Sequence, residues 1–231
     1  VTDLHQVLQE MAASFSCRIP EDFSLRVQLD IRPDVATWHV IVEPGGRVTV
    51  SPGSDQQPQV ILVMTEGTLR TIRSGQMAAL TAAAKTVISD PAPLDYRLGP
   101  GQSFTPQLHA DMLVFLQHFF NLTEPERILL GEPHSRKVHG ANAVALFYQP
   151  GFRSAWYLVQ QGEQLNEPGD TDPFPQAFVF VSGEGWAKIG DTTLPVRADE
   201  AYYVPPGSEH IVWTDSEEPL TLLWLAWGEE A

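Results

Sequence analysis

From residue 176 to 210 the chain alternates short strand-like runs with turn residues and leaves no room for a helix. An alternating run, Ala177 to Val181, sets Phe178 and Phe180 on one face and meets Gly183-Glu184-Gly185. Trp186 to Ile189, the turn Gly190-Asp191, Ala201 to Val204 and the turn Pro205-Pro206-Gly207 follow, ending at His210. A period of two, broken this often by glycine and proline, predicts antiparallel strands. The same texture runs from residue 139 onward, so this half predicts an all-β barrel or sandwich.

The first half reads differently. Leu4, Val7, Leu8, Met11 and Phe15 recur at three- and four-residue spacing and predict an amphipathic helix within 1–19. Strand-like runs follow at Ser24–Ile31, Thr37–Val42 and Arg47–Val50, with the hairpin signal Pro44-Gly45-Gly46 between the last two. Gln59–Met64 is a fourth apolar, β-branched run. Leu69 and Ile72, then Met77–Ile88 after Gly75, predict two short helices that Asp90-Pro91-Ala92-Pro93 stops. A strand at Leu94–Leu98 and a helix at Pro106–Phe120 with a wide apolar face complete this half. The polar, proline-bearing stretch 121–138 reads as a linker, giving domains at 1–120 and 139–231.

Charge divides the chain at the same place. The net charge of −15 splits into −4 over residues 1–139 and −11 over 140–231, where fourteen acids face three bases. So acidic a surface repels phosphate backbones and anionic membranes, which excludes nucleic acid as an expected partner. No apolar run is long enough for stable membrane insertion. The N-terminal stretch lacks a basic n-region and does not read as a signal peptide. A single cysteine, Cys17, is expected to be a small buried residue and fits a reducing cytoplasm.

Two family resemblances sharpen these readings. The order helix, three-strand meander, strand, two helices, strand, helix resembles the sterol-carrier-protein-2-like α+β fold. Trp38–Val42, Pro44–Val50, Gln59–Thr65 and Glu66–Leu69 with Arg73-Ser74-Gly75 carry it over about residues 1–120. Where that family often has Gly-Lys, this chain has Ala84-Lys85. The resemblance implies an apolar tunnel for a lipid or fatty-acyl-like ligand, with Met77, Leu80, Leu113, Phe115, Leu116 and Phe119 as wall. The alternative reading of the same residues is a filled core.

Residues 140–228 resemble the cupin double-stranded β-helix, through the Gly183-Glu184-Gly185 turn and Pro205-Pro206-Gly207-Ser208-Glu209-His210. In that family two histidines and a glutamate precede the first turn, and a histidine ends the second motif. Counting back from Gly183 puts Asp170, Asp172 and Gln176 at the first three positions; only His210 matches. Asp199 stands for the usual leading glycine of the second motif and Thr214 for a frequent asparagine. The expected cupin pocket is therefore Asp170, Asp172, Gln176, His210, Phe178 and Phe180, with no catalytic set and no metal or cofactor. A divalent metal at His210 is the alternative.

The remaining histidines are weaker candidates. His134 and His139 read as solvated loop residues, and His5, His109 and His118 as surface positions on helices. Aromatics from Trp156 to Trp227 crowd the second half and suit a core or a homodimer face. The expected function is a non-catalytic two-domain binding protein: one domain for a hydrophobic small molecule or lipid, and a cupin for small-molecule binding or dimerisation. A cupin enzyme of the oxygenase or isomerase class, acting on an acyl or aromatic substrate, is the alternative; a scaffold is a third.

Overall fold

Helix α1 (Leu4–Ser16) buries Val7, Leu8, Met11, Ala12 and Phe15 along one stripe, as its apolar spacing requires. This and all that follows comes from a computed structural model, which describes residues 4–32 and 36–231. The chain forms two compact units: residues 1–83 with 91–129, and residues 84–90 with 130–231.

The first unit is helix plus sheet. Strands β1 (Leu25–Arg32), β2 (Ala36–Glu43), β3 (Arg47–Pro52), β4 (Val60–Thr65) and β5 (Leu94–Leu98) form one sheet in the order β3-β2-β1-β4-β5. Only the β1–β4 pair is parallel, and helices lie in the long β4–β5 connection. Helix α2 (Glu66–Arg73) starts on Thr65, whose hydroxyl accepts the Thr68 amide. Helix α4 (Pro106–His118) starts the same way on Thr105, with proline in its first turn.

The expected helix over 77–88 is much shorter: α3 covers only Ala79–Ala83. Beyond it the chain joins the second unit. The Ala84 carbonyl accepts a bond from the Arg136 guanidinium, and the Thr86 hydroxyl accepts the His139 amide. These bonds hold the stretch in the second unit, and Thr86, Val87 and Ile88 are weak helix formers.

Of the proposed tunnel wall, Phe115, Leu116 and Phe119 are fully buried and Leu80 nearly so, whereas Met77 and Leu113 are half-buried. Phe115 stacks on Phe119 at 4.4 Å between centroids, and both meet Phe15 edge-on at 5.3 and 5.7 Å. Phe120 closes the cluster at 5.1 Å from Phe119. These rings occupy one another's contact space as core side chains do.

Two expectations, on Cys17 and His118, are corrected here. Cys17 is exposed, because α1 ends at Ser16 and the next residue turns away from the stripe that carries Phe15. His118 is half-buried and bonds Glu126 at 2.8 Å. Residues 121–129 belong to the first unit: Arg18 donates to the carbonyls of Asn121 and Thr123 and to Glu126 and Glu124, pinning this stretch.

The second unit is all-β. Strands β6 (Arg136–Val138), β7 (Ala141–Gln149), β8 (Phe152–Val159), β10 (Gln176–Ser182), β13 (Ala201–Val204) and β15 (Leu220–Trp227) form a sheet in the order β13-β10-β15-β8-β7-β6. The second sheet, β12-β11-β14-β9, contains β9 (Gln164–Leu165), β11 (Glu184–Ile189), β12 (Thr192–Arg197) and β14 (His210–Trp213). Every pairing is antiparallel. Phe178, Phe180, Leu220, Leu222, Tyr157 and Val159 of one sheet pack with Ala187, Val196, Val212 and Leu165 of the other. Two glycines permit the close approaches: a Cβ on Gly185 would lie 2.4 Å from the Trp213 carbonyl oxygen, and one on Gly140 2.2 Å from that of Gln164. No helix among the described residues is long and apolar enough to cross a membrane.

Candidate functional site

His210 opens β14 directly after the tight turn at Gly207, whose φ of +72° suits glycine. The Gly207 amide donates to the Asp172 carbonyl at 2.7 Å, tying this turn to the loop that carries Asp172. The His210 ring is almost fully buried. Its Nδ1 lies 3.0 Å from the Ser208 carbonyl oxygen, and because a carbonyl only accepts, Nδ1 carries the proton. Nε2 is thereby turned to Asp172, 3.4 Å from Oδ2.

The same carboxylate oxygen accepts the Gln176 amide N–H at 2.9 Å, and Gln176 Oε1 accepts the Trp224 indole N–H at 2.5 Å. Gln176 is fully buried, so both ends of its amide are committed and its orientation follows from its neighbours. A continuous chain of polar contacts results: Trp224 to Gln176 to Asp172 to His210. Burial pulls the His210 pKa down, but the Asp172 contact, the Ser208 carbonyl and the Asp172 and Asp170 charges outweigh it. The net shift is upward.

His139 stands beside this chain. Its φ of 53° lies in the left-handed region, which costs a non-glycine residue about 1–2 kcal/mol. Its carbonyl accepts the Asn166 amide at 2.8 Å, and Asn166, itself at φ 66°, donates its side-chain amide to the His210 carbonyl at 3.0 Å. Asn166 thus holds both histidine backbones. Burial lowers the His139 pKa; the charges of Asp170 and Asp172 oppose this, and that of His210 adds to it. The two imidazoles are displaced in opposite directions.

On the facing sheet the inward row beside Gln176 runs Ala226, Arg153, Tyr148. The Arg153 guanidinium lies 6.0 Å from the Tyr148 ring centre and 5.8 Å from that of Phe174. Phe174 in turn meets Trp224 edge-on at 6.5 Å. Tyr157, deeper in the same sheet, is buried. Burial first, and its electrostatic coupling to Tyr148 and the Asp172 carboxylate second, push its hydroxyl far above the usual phenol range, so it stays a hydrogen-bond donor.

Residues 155–226 match the family model described as a cupin domain. The C-terminal unit is a cupin domain. No curated protein matches the chain. Among solved structures, a cupin 2 conserved barrel domain protein from Salinispora arenicola is 22% identical, with 45% of this chain and 88% of that chain covered and a TM-score of 0.40. A protein from Photorhabdus luminescens gives 18%, 45%, 88% and 0.41 for the same quantities. A predicted oxalate decarboxylase from Thermotoga maritima gives 13%, 38%, 79% and 0.35.

Within the cupin domain the structure brings Asp172, Gln176 and His210 together and sets Phe178 under them, 6.0 Å from the His210 ring. Phe180 lies in the core below, against Tyr202. Asp170 is exposed in the preceding loop, where its carboxylate accepts the Glu167 amide. Among the described residues no group of three or more His, Cys, Asp or Glu side chains is arranged to hold a metal ion.

Sequence reasoning passed over Arg153 and Tyr148 and read His139 as a solvated loop residue, where the structure half-buries it. The signal for Arg153 was available: it shares the inward phase of Ala155, Tyr157 and Val159, where a cation is out of place. His139 carried none, because its left-handed backbone depends on Asn166 and Thr86, which are distant in sequence.

A separate pocket of about 900 Å³ opens at the other end of the strands, beside Trp186, Arg197, Glu200, Tyr202 and Asp215. Its polar groups satisfy each other: Arg197 Nε and the Tyr202 hydroxyl each donate to Glu200 at 2.9 Å.

Proposed function

We propose that the cupin domain binds a small organic molecule at the His210 end of its barrel, without a metal, and that binding rather than catalysis is its role. The observation that carries this reading is the contact chain from Trp224 through Gln176 and Asp172 to His210. At the position where the family resemblance implies a glutamate ligand, a neutral amide is saturated by an indole and a carboxylate. The carboxylate is in turn shared between that amide and one imidazole. This donor set does not fit a transition metal, which favours several free imidazole, thiolate or carboxylate ligands. It suits recognition of a polar group, with Phe178 as apolar floor.

The hydrophobic-ligand role suggested by the N-terminal resemblance would require the packed rings of Phe15, Phe115 and Phe119 to part, so the function is placed in the cupin domain. Native mass spectrometry of the full chain, paired with metal analysis, tests the proposal. The expected result is an organic adduct lost on denaturation, with no stoichiometric metal. A stoichiometric divalent metal that disappears in His210→Ala would overturn it and support a cupin enzyme.

A homodimer is a second expectation carried by its own observation. Val181, Tyr203 and Trp227 are 50, 58 and 38% exposed, and Tyr203 and Trp227 contact each other at 6.1 Å. Sedimentation equilibrium of the wild type against Tyr203→Glu checks it: a dimer lost in the variant is expected, and a monomeric wild type would refute it.

A further inference from the structure

Fourteen acids and only three lysines or arginines lie between residue 140 and the end of the chain. Lys188 pairs with Glu209, and Arg197 pairs with Glu200. Arg153 has no carboxylate partner among the described residues; its guanidinium meets only the rings of Tyr148 and Phe174. In a domain so rich in acids, a half-buried arginine left without a counter-ion departs from the rule that buried charges are paired. A ring face offers no oxygen to a guanidinium. The Arg153 N–H groups therefore remain available for a bidentate acceptor.

A second observation lies on the same inward face of β8. Tyr157 is only 9% exposed, yet its hydroxyl has no hydrogen-bond partner among the described residues. Every described side-chain N or O atom that is shut off from solvent has a partner. The Tyr157 hydroxyl is therefore not sealed from solvent, and its side chain lies on the inward face of β8. An accessible hydroxyl on a nine-tenths buried side chain can give its hydrogen bond to a ligand oxygen in place of water.

Charge selects the acceptor. Asp172 contacts His210 and Gln176, whereas Arg153 is the cation of residues 140–231 that no described carboxylate contacts. One added negative charge neutralises it. A doubly charged phosphate would bring a second charge toward Asp170 and Asp172, against which no further cation is placed. Planarity favours the same choice, since a carboxylate matches the guanidinium edge with two parallel hydrogen bonds.

Resting on the small-molecule reading above, we propose that the ligand of the barrel is a small organic monocarboxylate, or an acid presenting one carboxylate to this site. The carboxylate lies in the plane of the Arg153 guanidinium, and an oxygen of the ligand accepts the Tyr157 hydroxyl. Arg153 supplies selectivity for the acid, Tyr157 anchors the buried end, and Tyr148 and Phe174 hold the guanidinium in place.

Calorimetric titration of the full chain with benzoate, octanoate and monomethyl succinate, each against its neutral amide, tests this. Indole and backbone resonances around Trp224 and Tyr157 are followed in parallel. At least one acid is expected to bind at least about ten-fold more tightly than its amide, since an ionic hydrogen-bonded pair is worth a factor of that order. Arg153→Met keeps the aliphatic stem and should remove that preference. Arg153→Lys should keep the charge and recover only part of the affinity, and Tyr157→Phe should weaken acid and amide alike.

If acid and amide bind equally and Arg153→Met changes neither, the carboxylate inference is overturned while the binding reading stands. If no probe shifts the resonances around Trp224 and Tyr157, both are overturned. Phosphate binding more tightly than the acids would overturn the choice of carboxylate alone.

Discussion

The Trp224–Gln176 hydrogen bond offers the sharpest test of how the barrel site is held. Gln176 is fully buried and its Oε1 accepts from the Trp224 indole at 2.5 Å. Trp224→Phe keeps an aromatic ring and removes the donor. The stranded acceptor costs about 1–3 kcal/mol, and the smaller ring adds about 1 kcal/mol for the space it leaves. Gln176→Met strands the indole N–H instead; Trp224 is only half-buried, so water reaches it in part and the loss is nearer about 1 kcal/mol. The double variant has neither stranded group. It should be less destabilised than the two singles summed, by about 1–2 kcal/mol. Urea unfolding followed by tryptophan fluorescence is the assay, because five of the six tryptophans lie beyond residue 139 and report on the cupin domain. A coupling within about 0.5 kcal/mol of zero would refute the argument that this bond satisfies a buried acceptor.

Acidity gives another expected outcome. His210 is raised in the folded state, so its stabilising contribution is complete below the ordinary histidine value of about 6.5 and is lost as pH rises through its folded pKa. Asp172→Asn should lower the His210 pKa in an NMR titration and flatten the wild-type-minus-variant stability difference above that range. His139 also feels the Asp172 charge, so Asp172→Asn should lower its pKa as well, and the same NMR titration reads both rings. Gly140→Ala should destabilise more than Gly162→Ala, by at least about 1 kcal/mol. Both positions have positive φ, but only at Gly140 would the new Cβ meet a backbone oxygen, at 2.2 Å; equal melting temperatures would contradict this. Arg18→Met should cost about 3 kcal/mol by breaking a mostly buried pair with Glu126, and should speed proteolysis within 121–129. Denaturant melts and limited digestion check both parts.

What sequence alone determined was the secondary structure of the long periodic segments and the turn chemistry between them. The stripe of Leu8, Met11 and Phe15 required a helix, the alternation at Phe178 and Phe180 required a strand with one buried face, and Pro205-Pro206-Gly207 required a tight turn before His210. Each depends on neighbours within a few residues, where φ/ψ preference and periodicity act. Tertiary structure decided the rest. The residues after Ala83 left the helix and joined the second unit, where Arg136 and His139, some fifty residues away, bond the Ala84 carbonyl and the Thr86 hydroxyl. Asp172 entered the site while Asp170, two residues earlier, stayed in solvent, a difference set by which one the β14 turn and Gln176 reach. His139, Arg153 and Tyr157 became site residues only when strand pairing and Asn166 carried them to one end of the barrel. A charge without a counter-ion and a hydroxyl without an acceptor are properties of what surrounds a side chain in space, and no spacing along the chain encodes them.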